Sequence, residues 1–289
     1  MTDSAFAGSL LAWTDEVRRD LPWRDTRDPW AVAVSEVMLQ QTQVVRVIPK
    51  WGEFLQAFPT VSACAAAPQA DVVRLWEGLG YHRRAVSLHR AAIAVVERFD
   101  GVFPSTIAEL QTLPGFGPYT SRAMVAFAFD GHAAVLDTNV GRIVARAVAG
   151  RSCSGREAQS MADALVPVGR SWAWNQAMLD LGAMVCVKRA PQCDVCPIYR
   201  MCAWYQAGRP EPDPAIGSAA VSGGQSRFVG SDRQGRGRLL AALRRGIVAI
   251  DEVAAAMEWP DDEARAQRVA ATLVLDGLAC CSGAAYVLA

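Results

Sequence analysis

The chain has 289 residues, 52% of them hydrophobic, and its 29 basic and 29 acidic residues cancel to a formal net charge of zero. That length holds a sizeable core and about two domains, and no apolar run reaches the roughly 18 residues of a membrane span. The charge balance does not advertise a polyanion as partner, yet the cations are almost all arginine, with Lys50 and Lys188 the only lysines, and arginine reads phosphates and base edges better than lysine does.

Apolar spacing near 3.6 predicts an amphipathic helix over residues 5–20. The turn-rich segment LPWRDTRDPW follows, with Trp23 and Arg24 between prolines 22 and 29. A second helix is expected over residues 30–50, carrying the string SEVMLQQTQ. Val32, Ala33 and Leu39 fall beside Glu36 on one face of it, and a carboxyl among apolar neighbours is costly to ionise. Glu36 is thereby suited to act as a general acid, or else to pair with an arginine across the fold.

Three helices are expected at 51–58, 68–77 and 83–99. Between the last two lies GLGYHRRA, whose glycines permit a tight turn with Tyr81 at its tip. An aromatic there, beside Arg83 and Arg84, suits a wedge into a duplex with guanidiniums on phosphate, or a tyrosine capping the core. In LPGFGPYTSR a short helix ends at Leu113, Gly115 and Gly117 are free to take positive φ, and Pro118 starts the next helix. The N–H groups of such a hairpin make a good phosphate seat. Asp137, in LDTN, precedes a helix to residue 149 and reads as its N-cap; a capping carboxylate is favoured as the anion by N–H donors and the helix dipole. Arg142 and Arg146 sit four apart on that helix.

Two more helices over 155–185 run into CVKRAPQCDVCPIYRMC, where Cys186, Cys193, Cys196 and Cys202 are separated by six, two and five residues. Pro191 and Pro197 keep this segment from being one helix. Four soft ligands in a short loop suit a [4Fe-4S] cluster, with zinc or disulfides as the alternatives. The other four cysteines are scattered, no leader-like run opens the sequence, and a reducing cytoplasm is expected. Residues 206–236 are rich in Gly, Pro and Ser and read as a linker. Beyond it, helices at 237–245, 251–258 and 262–276 and strands at 278–282 and 285–288, turning on Gly283, suggest a small winged-helix-like unit.

Taken together, SEVMLQQTQ, GLGY, LPGFG, LDTN and the cysteine loop resemble the endonuclease III and adenine DNA glycosylase (MutY) superfamily, in its short actinobacterial form. The resemblance is strong over about residues 9–205. It implies an all-α, two-lobed helix–hairpin–helix glycosylase fold with a [4Fe-4S] loop: a domain over 1–205, with a six-helix lobe about 21–130 and a cluster lobe from 1–20 and 131–205. A small α+β unit follows at 237–289, where most such enzymes carry a larger domain related to nucleotide hydrolases. It implies a monomeric repair enzyme acting on double-stranded DNA with a mispaired adenine, removing that base by hydrolysis. The resemblance carries over Glu36 and Asp137 as the catalytic carboxyls, with Tyr119 helping to hold the site. It gives DNA and substrate contacts to Trp23, Arg24, Gln41, Tyr81, Gly115, Gly117, Asn139 and Gln176, and the cluster to the four loop cysteines. Lyase members carry a lysine nucleophile where this chain has Tyr119, which argues against a Schiff base. A thymine-mismatch or oxidised-pyrimidine glycosylase, and a non-catalytic iron–sulfur DNA-binding regulator, are the rival readings.

Overall fold

The computed structural model describes residues 2–218 and 227–289, which are mostly helical with three short strands near the C-terminus. Two compact units are formed: Met1–Ala33, Ser105–Thr112 and Phe116–Gly224 in the first, and Val34–Pro104, Leu113–Gly115 and Gln225–Ala289 in the second.

The first unit holds α1 (Thr2–Val17), the short turn Pro22–Arg24, α7 (Ile107–Leu110), α8 (Pro118–Phe127), α9 (Thr138–Ile143), α10 (Gly155–Leu165), α11 (Ser171–Met184) and α12 (Ala203–Gln206). Its core gathers Phe6 and Leu10 of α1, Val140 and Ile143 of α9, Trp174, Met178 and Leu181 of α11, and Trp204 of α12. Local signals place the helix starts. Ser154 and Glu157 form a reciprocal capping box on α10, Pro118 sits at the first position of α8, and Asp137 caps α9. The helix from Asp137 continues past Ile143 as a wider π-turn over Val144–Ala149 and stops at Gly150, φ +63°.

The second unit is built on α3 (Val44–Ala57), α4 (Val61–Ala66), α5 (Gln69–Leu75) and α6 (Arg83–Phe99). Buried Phe54 packs edge-on against Phe58 and Trp76, with ring centroids 5.1 and 6.0 Å away. The expected continuous helix over 30–50 is in fact two: α2 (Pro29–Leu39) ends before a turn at Gln40–Gln43, in which Gln41 takes φ +55°, and α3 begins at Val44. The break is stabilised from outside the segment, by the Arg84 side chain described below. The helix expected at 51–58 is the second half of α3, and α4 is an additional helix, capped by Thr60.

The C-terminal elements complete the same unit. They are α13 (Asp232–Arg245), β1 (Val248–Ala249), α14 (Val253–Ala256), α15 (Glu263–Leu275), β2 (Ala279–Ser282) and β3 (Ala285–Leu288). The sheet is antiparallel in the order β1-β3-β2, with Tyr286 of β3 opposite both Val248 and Cys281. The expected hairpin turning on Gly283 is present, at φ +59°, and β1 is a further strand too short to leave an alternating pattern. α13 starts at Asp232 behind the cap Ser231, inside the segment expected as linker. Of that segment, residues 219–226 lie outside the described residues.

Candidate active site

In the first unit, α11 is the spine of the site. Asn175, 1% exposed, donates from Nδ2 to Ala133 O at 2.8 Å and accepts from Val135 N at 2.7 Å. This fixes the extended segment that delivers Asp137 to the start of α9. One turn on, Asp180 is fully buried and pairs with the equally buried Arg24, Nη1 to Oδ2 and Nη2 to Oδ1 both at 2.8 Å; Arg19 donates to the same carboxylate. Burial pushes the Asp180 carboxyl up, but the two guanidiniums outweigh it and hold it below the usual carboxylate range. Arg24, expected as a pocket residue, places its guanidinium on Asp180. Trp23 is buried beside it, and Gln176, on the same helix, is 6% exposed.

Asp137 is held by three donors. Its Oδ1 accepts from Asn139 N and Val140 N, and its Oδ2 from Asn139 Nδ2, all at 2.8 Å. Asn139 is oriented in turn by Arg142, which donates to Asn139 Oδ1 and Gly182 O at 2.7 Å and to Cys186 O at 3.1 Å. A continuous hydrogen-bonded path thus runs from the Asp137 carboxyl to the backbone of the first loop cysteine. Burial pushes the Asp137 carboxyl above the usual range, against the pull of Val140, Asn139 and Arg142. The cap expected at 137 is formed, and burial works against it. Gly182 is required where it stands, because a Cβ there would lie 2.6 Å from Asn139 Cβ and 2.9 Å from its backbone. Tyr119 is half-buried in the first turn of α8.

Cys186, Cys193, Cys196 and Cys202 line one small cavity of about 30 Å³, walled by Ile143, Ala147, Leu181, Val185, Ile198 and Trp204. Burial pushes the Cys186 and Cys202 thiols up, and that of Cys196 to about 12. Arg146 donates to Cys186 Sγ at 3.4 Å and is clamped by Asp213, Nε to Oδ1 at 2.9 Å and Nη2 to Oδ2 at 2.5 Å. Among the described residues no three His, Cys, Asp or Glu side chains converge closely enough for a single metal ion. Four soft thiol donors around a mainly apolar cavity, faced by the Arg146 guanidinium, fit a larger, electron-rich cluster.

The second unit carries Glu36, Gln41, Tyr81 and Gly115. Glu36 is 6% exposed, with Val32 and Ala33 buried on its helical face. Gln41 and Tyr81 are exposed and both take left-handed backbone, φ +55° and +48°. Such a conformation costs a non-glycine residue on the order of 1–3 kcal/mol, so surrounding contacts must enforce it. Arg84 supplies them: it donates to Val37 O, Met38 O and Gln40 O at 2.7, 2.8 and 2.5 Å, and to Thr42 Oγ1, Gly80 O and Leu79 O at 2.9, 3.0 and 3.2 Å. Burial brings its guanidinium down to about 10, so it stays charged at neutral pH. The phosphate role expected for Arg84 is corrected: the side chain is consumed by the last turn of α2 and the Tyr81 loop.

In the hairpin before α8, Gly115 takes φ +81° and a Cβ there would meet Ser87 Cβ at 2.7 Å, so glycine is needed twice over. Gly117 does not take the expected positive φ. It is the N-cap of α8, with φ −79° and ψ −176°, and nothing lies within 4 Å of a built Cβ.

Asp180, Gly182 and Asp213 were not singled out from the sequence, where they look like ordinary helix residues and linker. Only Gly182, a glycine inside a helical pattern, leaves a local trace.

Residues 34–167 match the model of the HhH-GPD superfamily of base excision DNA repair proteins. The chain is 41% identical to the adenine DNA glycosylase of Mycolicibacterium smegmatis over 93% of its own length and 90% of that protein's. It is 42% identical to the adenine DNA glycosylase of Mycobacterium tuberculosis, over 93% and 88%. Among solved structures, a thermostable thymine-DNA glycosylase superposes with a TM-score of 0.66 at 26% identity, over 71% of this chain and 97% of that one. With the buried α2 glutamate, the capped aspartate and the four-cysteine loop set on this helix–hairpin–helix scaffold, the chain belongs to the adenine DNA glycosylase family.

Proposed function

We propose that the protein removes adenine mispaired with 8-oxoguanine or guanine from duplex DNA, by hydrolysing the N-glycosidic bond of an extruded nucleotide. The observation that carries this reading is a pair of carboxyls in different settings: Glu36, buried with Val32 and Ala33 on its helical face, and Asp137, held by three N–H donors at a helix N-terminus. Adenine leaves poorly as an anion. Glu36 protonates N7, so the N9–C1′ bond breaks with its electron pair drawn into a neutralised base. The sugar becomes oxocarbenium-like, and the Asp137 carboxylate stabilises that cation. Asn139 and Arg142 hold the carboxylate in place, and Tyr119 helps hold the site. Water adds at C1′ and leaves an abasic site.

Gln41 and Tyr81, on their constrained loops, support the base stack as the target nucleotide leaves it, since a paired base is otherwise inaccessible. Gly115 shapes the hairpin, and the open space at Gly117 leaves the α8 N–H groups accessible to a phosphate. Trp23 and Gln176 face the flipped base, with Arg24 bracing them through Asp180. Cys186, Cys193, Cys196 and Cys202 hold a [4Fe-4S] cluster whose part is structural. The enzyme works as a monomer on nucleoid DNA in the cytoplasm. Among the described residues no helix is long and apolar enough to cross a membrane.

The test is single-turnover excision from duplexes with A opposite G, A opposite 8-oxoguanine, T opposite G and thymine glycol. Cleavage of only the first two is expected. Glu36→Gln should slow it on the order of 10²–10⁴-fold with duplex affinity kept. Release of thymine from the T·G duplex favours the activity named for the solved structural neighbour, and a normally active Glu36→Gln removes Glu36 as the acid.

A further inference from the structure

A cleft of about 1350 Å³ opens within the second unit, lined by the Gln40–Gln43 turn, the Gly78–Arg84 loop and faces of α13 and α15. In a chain of zero net charge, this cleft concentrates positive charge: Arg46, Arg83, Arg84, Arg233, Arg236 and Arg244 face only three carboxylates, Glu77, Asp232 and Asp276. Each of those carboxylates is already engaged. Asp276 pairs with Arg236 and, at 3.2 Å, Arg83; Glu77 lies 3.4 Å from Arg244; and Asp232 is taken by Arg265, which is not part of the lining, at 2.7 Å. The acceptors around Arg84 are carbonyls and a hydroxyl, with no carboxylate among them, so no counter-ion cancels its formal charge. Arg46 is exposed, Arg83 has 74% of its side chain accessible, and Arg233 is half-buried, 3.5 Å from Tyr81 Oη and over the half-exposed ring of Phe228.

The C-terminal elements are firmly seated on this wall. Arg244 Nη2 meets His82 Nε2 at 2.6 Å, and Gln69 donates to Gly277 O at 2.7 Å. We infer that α13 belongs to the DNA interface: the sugar-phosphate backbone of the duplex lies in this cleft, with Arg46 of α3 and Arg233 of α13 as phosphate contacts. The inference rests on the proposed function only for the identity of the polyanion. A positive cleft with an exposed aromatic at its rim is the chemistry that takes phosphates and bases together.

The test is the affinity for an undamaged duplex, read by fluorescence anisotropy between 50 and 200 mM salt. The double variant Arg46→Gln/Arg233→Gln should bind matched and mispaired duplexes more weakly by the same factor. The slope of log affinity against log salt should fall by about two, roughly 0.9 per phosphate contact. Arg98→Gln, an exposed arginine of the same unit that does not line the cleft, should keep the parent slope. An unchanged slope in the double variant overturns the inference. Arg233→Lys keeps the charge and should keep the slope; if it loses as much affinity as Arg233→Gln, Arg233 merely holds Tyr81 and the phosphate role falls. Because the duplex is undamaged, a protein that fails to excise adenine can still confirm the cleft, and one that excises it can still refute it.

Discussion

Arg84→Ala separates a fold-holding arginine from a phosphate-reading one. The native guanidinium is shared among five carbonyls and one hydroxyl at 2.5 to 3.2 Å, and it lies 5.5 Å from the Trp76 ring centre. Hydrogen bonds to a charged group contribute roughly 1.5–3 kcal/mol each, but five N–H groups cannot serve six acceptors at full strength. Water reaches some of the carbonyls once the side chain is gone. The net loss is therefore about 3–4 kcal/mol, in the range for breaking a buried charged network. At roughly 2–4 °C per kcal/mol for a chain of this size, the thermal midpoint falls by about 10 °C. Circular dichroism melting reads it, beside the salt dependence of duplex binding. Arg84→Lys, with three donors on a compact head, should recover at most half. A midpoint within 2 °C of the parent, with a salt slope lowered by about one, would refute the reasoning and return Arg84 to the phosphates.

Two other expectations concern pH and the cysteine loop. Burial and the neighbouring Arg244, Arg84 and Arg236 push His82 from 6.5 down to about 3. Below pH 6.5 the unfolded chain binds a proton that the folded chain refuses, so stability falls as pH drops through that window and is unaffected above it. Relative to His82→Gln, the protein should lose about 2–3 kcal/mol of unfolding free energy between pH 6.5 and 4.5, two units at roughly 1.36 kcal/mol each; parallel urea curves for the two would sink the assignment. Cys196→Ser should abolish absorbance near 400 nm and lower the folded fraction, whereas a colourless parent protein, folded and active, would contradict the cluster.

Much of the fold was legible because its signals are local. Pro118 and Gly115 shape the hairpin, Asp137 and Ser154 cap their helices, and the cysteine spacing needs only the neighbouring residues to be read. The apolar face around Glu36 follows from helical spacing alone. The end of α2, by contrast, is settled by an arginine more than 40 residues downstream, and nothing near Gln41 announces it.

What the sequence determined by itself was the set of short-range choices: helix starts, turn glycines, the ligand loop and the chemical type of each candidate group. Only the tertiary structure decided which charges remain available. Arg24 and Arg84 look like free cations in the sequence, yet each is bound to partners distant in the chain. Gly117 needs no special backbone, and burial shifts Asp137 against its own cap. Capping and spacing act over one turn of chain. Desolvation and side-chain pairing depend on which segments are packed together, and that is a property of the folded core.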